Sequence, residues 1–317
     1  MSQALRDGNR RILGFPMKTG DLLLPDKRGV RRSFNRAADT YDSAAVLHRE
    51  VCGRIFERLD YIKLTPRRAL DLGCGTGFGS AKLLARYPEA QVIGLDIAPA
   101  MLRHAQERNT APGLMQRLMG KTRRYRGLCA DAEALPLMPG GMELVFSNLT
   151  LQWCDPSRFF SEAQRVLAPG GLLMFSTFGP DTLKELRDVF GALDKHPHVN
   201  AFLDMHDIGD LLVNSGFGDP VMDMEIITVT YADLKSLMIE LKSIGAHNVL
   251  PGRHAGLMGR NAWQSIVSGY EKHRQGGRLP ATFEVVYGHA WKPLQAPRKP
   301  DDGRQVIEFR TYPKADP

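Results

Sequence analysis

Residues 69 to 80, Ala-Leu-Asp-Leu-Gly-Cys-Gly-Thr-Gly-Phe-Gly-Ser, hold the first residues in the chain whose spacing could do chemistry. An apolar run ends in Asp71, and glycines follow at Gly73, Gly75, Gly77 and Gly79. Glycine takes positive φ without steric cost and leaves main-chain N–H groups open to a ligand that a Cβ would shield. Two phosphate cradles are excluded by the spacing. G-x-G-x-x-G would need glycine where Phe78 or Ser80 stands, and no Gly-Lys-Ser/Thr follows to make a Walker loop. A nucleoside-like cofactor remains. Further along, Asp96 ends the apolar segment Gln91–Asp96. A carboxylate there can accept both hydroxyls of an unphosphorylated ribose, or it can simply cap the helix that begins at Pro99.

The elements that must position these groups are strands followed by helices. Beyond 69–72 and 91–96, the periodicity predicts strands over 125–130, 142–148, 172–177 and 222–231, with helical segments between them. Short apolar strands alternating with helices imply right-handed crossovers and a parallel sheet, whose ligands bind at the carboxyl ends of the strands. Gly73, Asp96, Asp131 and Asn148 all fall at such ends. Two helices precede the first strand: Phe34, Ala37, Ala38 and Tyr41 share one face, and Val46, Leu47, Val51, Ile55 and Leu59 another. Tyr41 is placed either in the core or folded over the cofactor.

The run D-x-G-x-G-x-G, the acids ending the second and third strands and Leu167-Ala-Pro-Gly-Gly171 before the fifth together resemble the class I S-adenosylmethionine (SAM) methyltransferases. That resemblance implies a Rossmann-like α/β fold with a mostly parallel seven-stranded sheet. It also implies SAM held by Asp71, Gly73, Gly75, Gly77, Asp96, Asp131, Ala132 and Asn148. Asp131 would meet the adenine amino group, and the N–H of Ala132 a ring nitrogen.

Composition narrows the partners. With 43% hydrophobic and 24% charged residues the chain reads as soluble and globular, without a bilayer-spanning run or a secretory signal, so a cytoplasmic protein is expected. The net charge of +7 arises at the two ends, which argues against a nucleic-acid face across the domain. Cys52, Cys74, Cys129 and Cys154 are widely spaced, which predicts neither a zinc site nor a disulfide framework. Residues 1–29 read as a poorly ordered basic extension, 30–292 as the catalytic domain and 293–317 as a tail. Asp7, Asp21 and Asp26 argue against a transit peptide. Within the domain, 30–60 and about 232–281, an insertion between the sixth and seventh strands, are expected to form a helical lid.

Several segments are more specific than the cofactor pattern. Phe34-Asn-Arg-Ala-Ala-Asp-Thr-Tyr41, Ser147-Asn-Leu-Thr-Leu-Gln-Trp153, Leu241-Lys-Ser-Ile-Gly-Ala-His-Asn248, Gly256-Leu-Met-Gly-Arg260 and the stretch from Gly277 to Trp291 resemble the malonyl-acyl carrier protein O-methyltransferases of biotin synthesis. The resemblance implies methylation of the free malonyl carboxylate on acyl carrier protein; a monomer is expected. Malonate is already ionised at neutral pH, so no general base is expected. Tyr41 and Trp153 would line the transfer pocket. A cation from Lys242, Arg253 or Arg260, or else His289, would hold the carboxylate, and basic residues near the N-terminus would meet the acidic carrier.

Two other readings stay open at this level. Gly179-Pro-Asp-Thr-Leu-Lys-Glu-Leu186 and Pro280-Ala-Thr-Phe283 are similar to segments of the complex I assembly family that hydroxylates a protein arginine. A small-molecule O-methyltransferase, or a SAM-binding assembly module without turnover, would also carry the cofactor pattern.

Overall fold

The computed structural model describes residues 24–110, 124–194, 196–250 and 259–294. Helix α1 (Lys27–Ala44) starts inside the stretch expected to be an unordered extension, because the Asp26 carboxylate accepts the N–H groups of Arg28 and Gly29 and caps it. Helix α2 (Val46–Leu59) follows and buries Val51, Ile55 and Leu59.

The chain then alternates: β1 (Arg68–Leu72), α3 (Phe78–Arg86), β2 (Gln91–Asp96), α4 (Pro99–Thr110), β3 (Tyr125–Cys129), β4 (Met142–Asn148), α5 (Pro156–Val166) and β5 (Leu167–Phe178). After β5 come α6 (Lys184–Leu193), α7 (Met205–Asn214), β6 (Gly218–Tyr231), α8 (Leu234–Ser243), α9 (Arg260–Glu271) and β7 (Leu279–Trp291). These form one seven-stranded sheet in the order β3-β2-β1-β4-β5-β7-β6. Strands β1 to β5 pair in parallel, and β7 inserts antiparallel between β5 and β6.

Both faces of the central strands are buried, as a parallel sheet covered by helices requires, while the edge strands β3 and β6 are largely open to solvent. On β5, Leu172 and Met174 join one core with Val51, Ile55 and Tyr270, while Leu173 and Phe175 join the other with Phe159, Phe160 and Leu212. Strand β5 begins at Leu167, not Leu172, because Leu167 pairs with Met142 ahead of the Pro-Gly-Gly turn. The strand order reverses between β1 and β4, so the crevice at their carboxyl ends is the ligand site that topology provides. Among the described residues, no helix is long and apolar enough to cross a membrane.

Candidate active site

The glycine loop leaves β1 with Gly73 at φ 77° and Gly75 at φ 53°. A Cβ on Gly73 would stand 2.1 Å from Thr150 Oγ1, so only glycine fits there. The loop is tied to the end of β2: the N–H groups of Gly73 and Cys74 donate to Leu95 O at 2.8 and 2.9 Å. Gly75 N–H donates to Asp96 Oδ2 at 2.9 Å, and Ala98 N–H to Asp96 Oδ1 at 2.8 Å. Asp96 thus supports the approach to α4, as the capping reading expected, and also lines the crevice with lone pairs left for a ribose. Burial pushes its carboxyl up to about 6, against the lowering by these backbone donors.

Gly73, Gly75, Asp96, Asp131, Ala132 and Asn148 line one narrow cleft, which fits the donor set of an adenosyl cofactor. Two residues expected in it stand elsewhere. Asp71 is buried beneath the loop, where its Oδ2 accepts Ser80 Oγ at 2.6 Å. It supports the positive first turn of α3 from below and is not among the cleft-lining residues. Burial raises its carboxyl to about 7. Gly77 starts α3 and packs on α4, where an added Cβ would fall 2.4 Å from Asn109 Nδ2. Its need for glycine is one of helix packing, not of cofactor approach.

Helix α1 straps this cleft at successive points. Asp42 accepts Thr76 Oγ1 at 2.6 Å, Asn35 Oδ1 accepts Ala100 N–H at 2.9 Å, and Lys27 Nζ lies 3.1 Å from Asp131 and 2.6 Å from Glu133. The cleft beneath it has a volume of about 70 Å³. Lys27 was hidden in the sequence by the many other basic residues around it; only the tertiary structure sets it opposite the third-strand acids.

A second cavity, of about 500 Å³, adjoins the cleft and shares Phe34, Tyr41, Leu149 and Trp153 with it. The Tyr41 ring comes within 3.9 Å of the Cβ position of Gly75, so it does fold over the glycine loop. Burial, with Asp96 next, drives its phenol well above the ordinary tyrosine range, and it stays protonated. Trp153 meets Phe34 edge to face at 5.3 Å. Leu149, at φ 51°, is a non-glycine residue in the left-handed region, a strain of roughly 1–3 kcal/mol. Its N–H is held by Ser176 O at 3.1 Å and by Ser176 Oγ at 3.0 Å. Asn148 donates to His48 O and accepts from Ser176 Oγ, both at 3.0 Å, joining the strand end to the lid.

The cavity walls are largely apolar, from α1, α2, α6, α8 and Phe283 of β7. His48 lies in them, a residue no sequence motif marks. Burial and then the neighbouring Arg49 lower its pKa to about 4, so it is neutral at physiological pH. Lys242 lines the cavity at its exposed edge. Arg260 is exposed at the start of α9 and is not a lining residue. His289 pairs with Met174 and Val221 in mid-sheet. Because β7 runs antiparallel, its early residue Phe283 reaches the site and His289 points the chain toward the other end. Arg253 lies outside the described residues.

Residues 70–175 match the family model of a methyltransferase domain. A malonyl-[acyl-carrier protein] O-methyltransferase of Laribacter hongkongensis is 55% identical over 92% of this chain and 98% of its own length. The chain belongs to the malonyl-acyl carrier protein O-methyltransferase family. A second member, from Gallionella capsiferriformans, is 54% identical over 89% of this chain and 96% of its own. Both matches extend well beyond the methyltransferase domain into the lid segments that wall the larger cavity. Among solved structures, the [4+2]-cyclase SpnF superposes with a TM-score of 0.55 at 19% identity, covering 86% of this chain and 99% of its own, a likeness of fold.

Proposed function

We propose that this chain transfers a methyl group from SAM to the free carboxylate of a malonyl group borne on acyl carrier protein, giving the methyl ester. The observation that carries the reading is the 55% identity to a relative of that name over nearly the whole length of both chains. The geometry agrees with it. Asp96, Asp131, Ala132 and the Gly73–Gly75 backbone hold the cofactor, which when bound supplies an electrophilic methyl on a sulfonium. Tyr41, Trp153, Phe34 and Leu149 form the wall common to cleft and cavity, where donor and acceptor meet.

The malonyl carboxylate arrives ionised, so catalysis rests on alignment and on exclusion of water, and good alignment can supply roughly 7–11 kcal/mol. The apolar cavity strips water from the attacking oxygen. In this reading the Tyr41 hydroxyl and a neutral His48 N–H, both from residues lining the cavity, hold the second carboxylate oxygen. Lys242, exposed at the cavity's edge, is assigned to the outer part of the substrate. The protein acts in the cytoplasm as a monomer, without a nucleic-acid partner.

The test is transfer of radiolabelled methyl from SAM to malonyl-acyl carrier protein, beside malonyl-coenzyme A and acetyl-acyl carrier protein. Base-labile label on the malonyl carrier and none on the acetyl carrier is the expected result. No label on any acceptor, with SAM still bound, would discard the reading, and oxygen uptake in the same mixture would bring forward arginine hydroxylation.

A further inference from the structure

The acceptor cavity is much larger than a malonyl group, and its opening can be located. Among its described lining residues, only Lys235, Ile239 and Lys242 are exposed. They are spaced i, i+4, i+7 on α8 and so share one helix face. Residues that both wall a cavity and face solvent mark its mouth. That mouth is therefore an apolar spot, Ile239 at 53% exposure, with a lysine at each end.

Helix α1 continues the same surface. Arg32, Arg36 and Thr40 recur every four residues, and the Thr40 hydroxyl donates to Ser243 O at 3.0 Å, beside Lys242. Arg36 and Lys242 both act on His247 between the two helices. Arg32, Arg36, Lys235 and Lys242 are all exposed and form no ion pair among the described residues. Of the nearby acids, Asp39 pairs with His104, Asp42 with Arg108 and Thr76, and Glu240 with the Tyr231 hydroxyl, while Asp233 caps α8 and interacts with the charge of Lys235. Four exposed cations around an apolar mouth are the complement of an acidic helix that delivers its cargo on a long phosphorylated arm.

We propose that Arg32 and Arg36 of α1, with Lys235 and Lys242 of α8, form the docking face for the acidic carrier protein, whose phosphopantetheine arm enters the cavity past Ile239. This rests on the methylation reading above and adds to it the surface and the port of entry. The arm fills the length of the cavity and brings the malonyl end to Tyr41 and Trp153, while its phosphate stays at the lysines. The cations act on encounter with the carrier and leave the transfer step untouched.

The experiment compares the wild-type enzyme with Arg32→Glu/Arg36→Glu, residues that line neither cleft nor cavity. Malonyl-carrier and malonyl-pantetheine serve as acceptors, and holo-carrier binding is followed by fluorescence anisotropy. The double variant is expected to raise KM for the malonyl-carrier roughly tenfold or more, with kcat and all malonyl-pantetheine kinetics within about twofold of wild type. Raising salt from about 0.05 to about 0.3 M should weaken carrier binding by wild type and have little further effect on the variant. Unchanged KM and salt dependence with the carrier would overturn the docking face. Equal losses with malonyl-pantetheine would overturn it too, since they point to a distorted lid. If wild type methylates neither acceptor, the methylation reading falls, and anisotropy alone decides: carrier bound by wild type and lost in the variant upholds the face, and no binding by wild type ends it.

Discussion

The cofactor cleft and the acceptor cavity share a wall but are made differently. The cleft is built from strand ends, positive-φ glycines and carboxylates, and α1 narrows it to about 70 Å³. The cavity is built from lid helices and β7, is largely apolar, and at about 500 Å³ already lies in the usual range for ligand sites. One side offers directed hydrogen-bonding groups at strand ends; the other offers volume and apolar walls. A cofactor reused by many enzymes needs fixed donors, whereas the acceptor is selected by what a family adds over the sheet.

This contrast can be broken most directly at Asp96. Asp96→Ala should weaken SAM binding about 100-fold, the loss of two charge-assisted hydrogen bonds. It should leave KM for the malonyl acceptor near wild type, with calorimetry and steady-state kinetics as the readouts. Equal damage to both substrates would mean the two sites are one unit. On the shared wall, Tyr41→Phe should lower kcat about tenfold, with SAM affinity changed less than about threefold, since one hydroxyl hydrogen bond is removed from the acceptor side. A variant with full kcat would remove Tyr41 from the transfer step.

Acidity should separate the two regions as well. With the Asp96 carboxyl raised to about 6, its ionised fraction falls about fourfold between pH 7 and pH 5.5, and SAM affinity should fall with it. Asp96→Asn should flatten that profile. The sign for folding is opposite. Asp71 and Asp96 hold protons in the folded protein to about 7 and about 6, above the ordinary carboxylate range near 4. The folded state binds more protons than the unfolded one across that window, so their contribution to stability declines as pH rises from about 4 to about 7. Thermal melts without ligand, compared for wild type and Asp71→Asn, check this. The smallest effect is expected at Lys27: its pairs with Asp131 and Glu133 are partly exposed, so Lys27→Ala should cost under ~1 kcal/mol. It should nonetheless speed amide exchange in the first turns of α1. Unaltered exchange would show that the strap is held elsewhere.

Much of the cofactor side was legible in the chain. Strand periodicity set the bounds of β2 and β4 as observed, and it placed Gly73, Asp96, Asp131 and Asn148 at strand ends that the sheet then gathers. The misreadings there concern direction. Asp71 and Gly77 have the expected residue types but face α3 and α4, a distinction that depends on which way the loop turns. The acceptor side was legible mainly as a helical lid. Lys242, Arg260 and His289 looked alike as cations or near-cations in the right segments, yet only Lys242 borders the cavity.

The sequence by itself determined the cofactor class, the parallel sheet and the family. The first two depend on local patterns, glycine spacing, strand period and an acid at a strand end, while the family rested on the resemblance of segments spread from Phe34 to Trp291. Only the tertiary structure decided that α1 crosses the cleft with Lys27 on Asp131, that His48 is buried and neutral, and that the cavity opens on α8. Each of those depends on residues far apart in the chain meeting across the sheet, and burial and the field of such neighbours, not residue type, set their chemistry.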